Sequence, residues 1–442
     1  MANFPVKWFT DVMQGAPAFS GFPELGYSTA DNYLNMVPGE VNSIFKDCLI
    51  NGFGVLNPTD ITYDGVSGKV TVTFPTSHSY LKDSVIQISN CDQVEYNGEF
   101  RITDITSNTF SYVPDSAPSV TPATTVSAFE SKVPAVGGWE IEAEDLPTHH
   151  LVLRRTATDA ANVSFLIKND INYAQQDGFN YGSSYRSYAK VEMISNFVDF
   201  STYDLIDTFW IPSWSYSSSN GSVTYDSDRL NRRYYLVADA YCFYWLPACT
   251  VYQAKLPFFF GDIVSCRPGD RGHAMGTSLN ANTAGSWTSA SSWSGGPYWN
   301  YPANGTYRTP ISGGNTLATN YANTPGQTQC WVMQPMTWEG YTSQLLAYPN
   351  PANQGLFLSR ESPIVLENTL SNSTTSNAAI LRGFMPGMIC CPQNDYYLDG
   401  LIFDNAPGFE NTPILMLNIL NYSNSTESLF VLRLDQWRSA AV

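Results

Sequence analysis

Apolar and polar residues alternate in short runs between about Asn57 and Phe129, and turn-forming residues bound each run. Alternation predicts strands with one buried face, because successive side chains of a strand point to opposite sides. Four such runs predict four strands, which together make a small β-barrel or β-sandwich. The apolar positions of the runs are Val70, Val72 and Phe74, then Ile86 and Ile88, then Phe100 and Ile102, then Phe110 and Tyr112.

Two turns are predicted inside this region. Asn97-Gly98 favours a two-residue β-hairpin, because both central residues of a type I′ turn need positive φ. A second turn is expected at Ser107 and Asn108, ahead of the last strand. His78 precedes the second run, where we expect it to hydrogen-bond a turn.

One segment near the amino terminus has helical periodicity. Residues 39–54, GEVNSIFKDCLINGFG, place Ile44, Phe45, Cys48 and Leu49 on one face, and Asn51-Gly52 predicts the helix end. The apolar stretch before it, residues 6–27, is interrupted by Gly and Pro and indicates an ordered arm lying against a neighbour or the body of the protein. We interpret the apolar helix face as a docking element.

Beyond Trp139 the chain is again β but less regular, with continuous apolar runs typical of strands buried on both faces. Between Ala274 and Trp338 the only charged residue is Arg308. The predicted fold class is therefore mainly β, a multidomain β-sandwich or β-barrel architecture with one short N-terminal helix and long loops. We expect an arm and helix at 1–55, a small β-domain at 56–130, and a larger β-sandwich domain at 131–442 with a loop-rich excursion at 274–338.

Composition points to contact surfaces rather than to nucleic acid or membrane. Charged residues make up only 14% of the chain and aromatic residues another 14%, and Tyr and Trp favour permanent interfaces. The net charge of −17 argues against direct nucleic-acid binding. No apolar run reaches the roughly 20 residues of a membrane span, so no membrane insertion is expected.

The eight cysteines have no zinc-type spacing, and the amino terminus lacks the apolar core of a secretory signal. We expect maturation in a reducing cytoplasm and mostly buried, unpaired thiols.

Candidate chemistry is sparse, and we predict no catalytic residue, no metal and no cofactor. The best metal or acid/base candidate is a cluster of acidic residues and histidines, interpreted as a solvated acidic edge rather than a structural cation site, because adjacent histidines on a strand point to opposite faces. Its members are Glu140, Glu142, Glu144, Asp145, His149 and His150. If the segment is a strand, its three glutamates are expected to share one face. Residues 268–273, PGDRGH, are interpreted as a Gly-rich turn with an Asp–Arg pair, since no G-x-S-x-G motif accompanies them.

Residues 77–113, SHSYLKDSVIQISNCDQVEYNGEFRITDITSNTFSYV, resemble a small β-domain that recurs in structural proteins of tailed bacteriophages. Lys82-Asp83-Ser84 stands where that pattern usually has Gly-Asp. The flanking FTDVMQGAPAFSG, RRYYLVADAYCFYW, FFFGDIVSCRPGD and ILRGFMPGM segments are similar to the same family. The matching positions of the small domain are His78, Val85, Ile86, Ile88, Asn97, Gly98, Phe100, Ile102, Ile105, Asn108, Thr109, Phe110 and Tyr112.

The resemblance implies a non-enzymatic virion protein of the tail, baseplate or neck, assembled in the bacterial host cytoplasm, with an Ig-like or SH3-like small domain. Its expected partners are other virion proteins and further copies of itself in a symmetric homo-oligomer. The alternative is an appendage that binds a host receptor or surface glycan, since sugar rings stack on aromatic side chains. Trp287, Trp293, Tyr298 and Trp299 would make the assembly or glycan contact. A cell-wall or capsule hydrolase is a further alternative.

Overall fold

A computed structural model describes residues 4–18, 39–125, 128–169, 188–212, 233–247, 257–266, 272–277, 308–312, 328–333, 361–368, 379–389, 399–406, 408–419 and 428–438, and the single residues 255 and 358. Within these ranges the chain is mainly strand, arranged in three antiparallel sheets, and its one α-helix is short. The predicted fold class is confirmed. No helix in the described ranges has the length and apolar character of a membrane span.

The chain begins with strand β1 (Lys7–Thr10) and helix α1 (Glu40–Lys46), which continues as a wider π-helical turn over Asp47–Asn51. Gly52 ends the helix with φ of 73°, a left-handed value that glycine adopts without steric cost. The helix and its end are therefore as predicted.

A seven-stranded sheet follows, and we call residues 53–133 the small module. The runs predicted from alternation correspond to its strands β4 to β7, and three further strands complete the sheet. Its strand order is β2-β8-β5-β6-β7-β4-β3. The strands are β2 (Phe53–Leu56), β3 (Asp60–Asp64), β4 (Lys69–Thr73), β5 (Val85–Ser89), β6 (Gly98–Ile105), β7 (Thr109–Tyr112) and β8 (Glu130–Val133).

The predicted two-residue turn at Asn97-Gly98 is wrong. Asn97 has φ of −85°, and a 3₁₀ turn at Val94–Tyr96 lies in the loop between β5 and β6. The Asn97 side chain instead accepts a hydrogen bond from the Cys91 N–H at 3.0 Å and donates one to the Cys91 carbonyl at 2.6 Å. These two bonds hold a longer loop closed, whereas the second predicted turn does join β6 to β7.

A five-stranded sheet comes next, in the sequential order β13-β12-β11-β10-β9. Sequential neighbours in space indicate an antiparallel meander, the topology that short connections favour. Its strands are β9 (Trp139–Asp145), β10 (His150–Arg155), β11 (Ser164–Lys168), β12 (Tyr188–Asp199) and β13 (Thr202–Pro212).

The third sheet has thirteen strands and includes β1, which pairs with β14. Its order is β1-β14-β15-β16-β18-β19-β20-β21-β22-β25-β24-β23, with β17 beside β22. The new strands are β14 (Tyr234–Ala238), β15 (Cys242–Pro247), β16 (Phe258–Asp262), β17 (Val264–Ser265), β18 (His273–Thr277), β19 (Arg308–Ser312), β20 (Thr328–Met333), β21 (Glu361–Asn368), β22 (Ala379–Ile389), β23 (Ile402–Phe403), β24 (Ile414–Ile419) and β25 (Ser428–Arg433). We call the five-stranded and thirteen-stranded sheets together the body.

The described part of the arm lies against the body, because Trp8 of β1 pairs with Val237 of β14. Part of the predicted excursion also belongs to the body, since β19, β20 and most of β18 fall within residues 274–338. The remainder of the excursion lies outside the described residues. The domain boundaries at 55/56 and 130/131 stay predictions.

One continuous apolar core joins the helix and all three sheets. The Phe45 ring of α1 lies 5.1 Å from Phe243 and 5.4 Å from Trp245, both in β15. Trp139 of β9 contacts the same Phe243 ring at 5.4 Å. Helix α1 and strand β9 therefore pack against the same strand of the thirteen-stranded sheet.

Candidate functional site

The acidic residues of β9 lie at an edge of the five-stranded sheet, as predicted, but its three glutamates are ion-paired. Arg154 Nη2 is 2.6 Å from Glu140 Oε1, and Arg154 Nη1 is 3.4 Å from Glu142 Oε1. Ser164 Oγ donates a hydrogen bond to Glu142 Oε2 at 2.6 Å. A half-exposed Arg–Glu ladder of this kind stabilises a strand edge weakly.

The three glutamates do not share one face. The pairing of β9 with β10 shifts by one residue beside Glu142, which forms a β-bulge. Glu140 lies opposite Arg154, on the exposed face, whereas Glu144 lies opposite the buried Leu151 and pairs with Lys46 of α1. The prediction of one common face is wrong because the bulge reverses the alternation.

The two histidines of the predicted cluster have different neighbours. His149 has φ of 53° in the turn between β9 and β10, and its carbonyl accepts a hydrogen bond from Asn42 Nδ2 of α1 at 2.7 Å. The His150 ring lies 5.7 Å from the Phe200 ring. Within the part of the chain that the structure describes, no group of three or more His, Cys, Asp or Glu side chains is placed to hold a metal ion.

A buried cluster of charged residues connects the two sheets of the body, and sequence reasoning missed it. Arg155 of β10 places Nη2 3.3 Å from Oδ1 of Asp262 in β16, with side-chain exposures of only 0% and 6%. The second carboxylate oxygen of Asp262 accepts a hydrogen bond from the Ala161 N–H at 2.9 Å. Arg155 Nη2 also donates to the carbonyls of Ala161 and Val163.

A second ion pair continues the cluster toward the carboxyl-terminal segment. Arg438 Nε lies 3.2 Å from Asp239 Oδ2, and Arg438 Nη1 donates to the carbonyl of Ile263 at 3.0 Å. Asp239 Oδ1 accepts hydrogen bonds from the N–H groups of Tyr241 and Cys242 at 2.8 and 2.7 Å. The cluster therefore ties the segment after β25 to β16 and to the turn between β14 and β15.

Burial raises the pKa of the Asp262 carboxyl, and the Arg155 guanidinium partly offsets the rise. Burial also lowers the pKa of Arg438, but Asp239 and other acidic neighbours raise it by more, so the net shift is upward. Both carboxylates accept N–H hydrogen bonds and have a guanidinium neighbour. This arrangement holds three parts of the body together. Its partners lie far apart in the sequence, 199 positions for Arg438 and Asp239, so no local sequence pattern predicts the cluster.

The predicted docking face of the helix is occupied by the chain itself. Ile44, Phe45, Cys48 and Leu49 are each 0% exposed and belong to the main core. A docking role for this helix stays a prediction, and such a contact would have to use the outer face around the exposed Ser43.

Several other predicted positions are only partly described. Trp287, Trp293, Tyr298 and Trp299 lie outside the described residues, so the structure does not bring them together. Asp270 and Arg271 of the PGDRGH segment also lie outside, whereas His273 is buried in β18 opposite Asp262.

The histidine and cysteine predictions are tested in part. The His78 backbone N–H donates to the carbonyl of Ser107 at 3.0 Å, so the backbone makes the predicted turn contact. The His78 ring packs 5.0 Å from the Phe74 ring. Cys48, Cys91 and Cys242 are buried free thiols, as predicted, and Cys266 is free but exposed.

No protein-family model and no curated protein matches this chain. Among solved structures it is similar to a phage phi92 endosialidase, with 10% sequence identity and a TM-score of 0.17. The match covers 88% of this chain and 53% of that protein, so this chain spans about half of its length. A TM-score this low carries no argument about mechanism or family. The comparison gives a coarse likeness to a phage protein.

One prediction is corrected after this comparison. The chain was expected to be non-enzymatic, but the similar structure is that of an endosialidase. Nothing in the described residues argues positively against activity, so the prediction of no enzymatic activity is withdrawn.

Proposed function

We propose that this protein is a structural component of a tailed-phage particle, in its tail, baseplate or neck, and that it acts through protein–protein assembly. The resemblance of residues 77–113 to a phage structural domain motivates the proposal. The structural observation that supports it best is the way the small module is fixed to the body, through side chains that reach across the junction.

Lys7 of β1 makes the first of these connections. Its Nζ lies 2.9 Å from both carboxylate oxygens of Glu99 in β6 and 2.7 Å from the Ala135 carbonyl oxygen. The Lys7 side chain is only 5% exposed. A buried ammonium needs such partners, because desolvation of an unpaired charge costs several kcal/mol.

Asp83 and Arg101 make the second connection. The carbonyl of Asp83 accepts hydrogen bonds from Trp8 Nε1 of β1 at 3.2 Å and from Arg101 Nη1 at 3.1 Å. Arg101 Nη2 also donates to the carbonyl of Leu434, beyond β25, at 3.4 Å. Three distant parts of the chain thus meet at this junction. Fixed modules favour assembly, because surfaces that are already positioned lose little conformational entropy on association.

The surface chemistry supports the same function. Many of the described Lys and Arg side chains form ion pairs within the chain, so they contribute little unpaired positive charge at the surface. Uncharged polar surface loses less hydration on contact than charged surface does. The cations with ion-pair partners are Lys7, Lys46, Lys69, Arg154, Arg155, Lys168, Lys190, Lys255, Arg433 and Arg438.

The proposal is tested with gradient-purified particles of the phage that encodes this chain. We expect quantitative mass spectrometry to find the chain in a constant ratio to the major capsid protein across preparations. A wash with salt at about 1 M screens weak electrostatic attraction between surfaces. Such a wash should not remove the chain from the particles. Absence from washed particles, while the chain is abundant in the infected cell, would exclude a structural role.

A further inference from the structure

One end of the small module is built from three connected segments, residues 64–69, 90–97 and 113–125, which we call the tip. The strand register places them together, since Asp64 pairs with Lys69, Ile88 with Gly98, and Val70 with Tyr112. Each of these pairs stands where its strands enter or leave the tip.

Hydrogen bonds join the three segments into one surface. The Asp92 N–H donates to the Thr124 carbonyl at 2.7 Å, and Tyr96 Oη donates to the Val120 carbonyl at 2.8 Å. The Tyr63 N–H, just before the first segment, donates to Thr121 Oγ1 at 2.9 Å. The tip is therefore a formed surface with its own internal bonds.

The tip presents an unusual number of exposed apolar side chains. Val66, Val94, Val113 and Val120 are 97%, 76%, 55% and 47% exposed. Turns usually carry Gly, Asn, Asp or Ser, because these residues suit turn geometry and water. A single exposed valine needs no explanation, but several at one end of a module indicate an interaction site.

Acidic residues lie within two sequence positions of Val66, Val94 and Val113. Asp64, Asp92 and Glu95 lie in the first two segments and Asp115 in the third. Lys69 is the one cation of the described tip, and its Nζ lies 2.6 Å from Asp104 Oδ2. The Asp64 carboxylate accepts hydrogen bonds from the Val66 and Ser67 N–H groups, which lower its pKa and keep it ionised at neutral pH.

We infer that the tip is a docking surface for a different virion protein, one whose apolar contact area is bordered by Lys or Arg. This inference rests on the proposed assembly function and names one of its contacts. Charge complementarity selects the partner, because acidic groups beside exposed apolar side chains attract Lys and Arg. A second copy of this chain would bring like charges together, and an anionic glycan would be repelled in the same way.

The test uses particles purified from cells infected with a mutant phage that does not make this chain, and full-length purified protein is added to them. The variants are V66S/V94S, which removes apolar area, and D92K/E95K, which reverses charge. V198S is the matched control, because Val198 is 72% exposed but lies at the end of β12 in the body. Thermal unfolding midpoints establish whether each variant is folded. If V66S/V94S does not fold, the single variant V66S replaces it.

We expect wild type and V198S to bind the particles equally, and both tip variants to bind about tenfold more weakly. Equal binding by V66S/V94S and wild type overturns the docking surface while the assembly function stands. If V66S/V94S loses binding but D92K/E95K does not, the inference of a basic partner is wrong. It is also wrong if wild type forms an oligomer in sedimentation equilibrium and the V66S/V94S variant does not. No uptake of wild type at all counts against the proposed function itself.

Discussion

Arg155 and Asp262 face each other across the junction of the five-stranded and thirteen-stranded sheets, with Nη2 3.3 Å from Oδ1. Both side chains are buried, and the guanidinium also lies 5.3 Å from the Phe165 ring centre. The neighbouring Arg154 points to the opposite face, where it pairs with Glu140 near solvent. Two consecutive arginines therefore have different physical environments, and they provide a matched comparison.

Replacing Arg155 by Met should lower the free energy of unfolding by about 3 to 5 kcal/mol, because Asp262 is left as an unpaired buried charge. Replacing Arg154 by Met should cost less than about 1 kcal/mol, since its pair is half-exposed. Urea unfolding followed by tryptophan fluorescence compares the two variants. Equal losses would show that the buried pair contributes no more than the surface pair.

Glu192 of β12 gives a prediction for acid stability. Lys168 Nζ and Lys190 Nζ each lie 2.9 Å from one of its carboxylate oxygens, and Tyr203 Oη donates to it at 2.7 Å. Burial raises the pKa of Glu192, but these hydrogen bonds lower it by more, so it falls below its ordinary 4.5. A carboxyl with a depressed folded-state pKa stabilises the fold above its unfolded-state pKa.

That contribution is lost as the pH falls from about 4.5 through the lower folded-state pKa of Glu192. Thermal unfolding midpoints are measured from about pH 3 to about pH 7, a range that includes the ordinary carboxyl pKa. On the acid side these midpoints should fall less steeply for E192Q than for wild type. K168M removes one hydrogen-bond donor, so it should move the acid loss to higher pH. Identical profiles for all three proteins would contradict the assignment.

Phe45 tests the interior position of the helix. F45A should lower the free energy of unfolding by about 3 to 5 kcal/mol, because a ring packed between Phe243 and Trp245 is lost. S43A, on the outer face of the same helix, should change it by less than about 0.5 kcal/mol. Differential scanning calorimetry measures both. A stable F45A protein that fails only in particle assembly would restore the original docking interpretation of this residue.

Asn97 tests the corrected loop between β5 and β6. N97A removes both hydrogen bonds to Cys91 and should cost about 1 to 3 kcal/mol. N108A, in the exposed turn between β6 and β7, serves as the control and should be nearly neutral. Chemical unfolding midpoints compare the two variants. A larger loss for N108A would contradict the role given to the Asn97 side chain.

The sequence allowed prediction of elements whose signal is local. Val70 and Val72 alternate within one strand, and Gly52 directly follows the helix that it ends, so both features were predicted. Asn97 was misread because its side-chain bonds to Cys91 suppress the turn that Asn-Gly favours. The Asn-Gly pattern correctly predicted a connection between two strands, but the Asn97 contact with Cys91 determined the geometry of that connection.

Contacts between distant segments could not be predicted in this way. The apolar face of α1 was evident, but its partner Trp245 lies far along the chain. Arg155 and Asp262 each look like ordinary surface charges until the two sheets are brought together. The bulge at Glu142 likewise depends on the pairing partner β10, so alternation alone placed Glu144 on the wrong face.

A reconstruction of the intact particle by cryo-electron microscopy tests the assembly function most directly. We expect density for this chain in symmetric copies in the tail, baseplate or neck, with the small module held against the body by Lys7 and Arg101. The tip around Val66 and Val94 should contact a different protein. A complete particle map in which no density fits this chain would contradict the proposed assembly function.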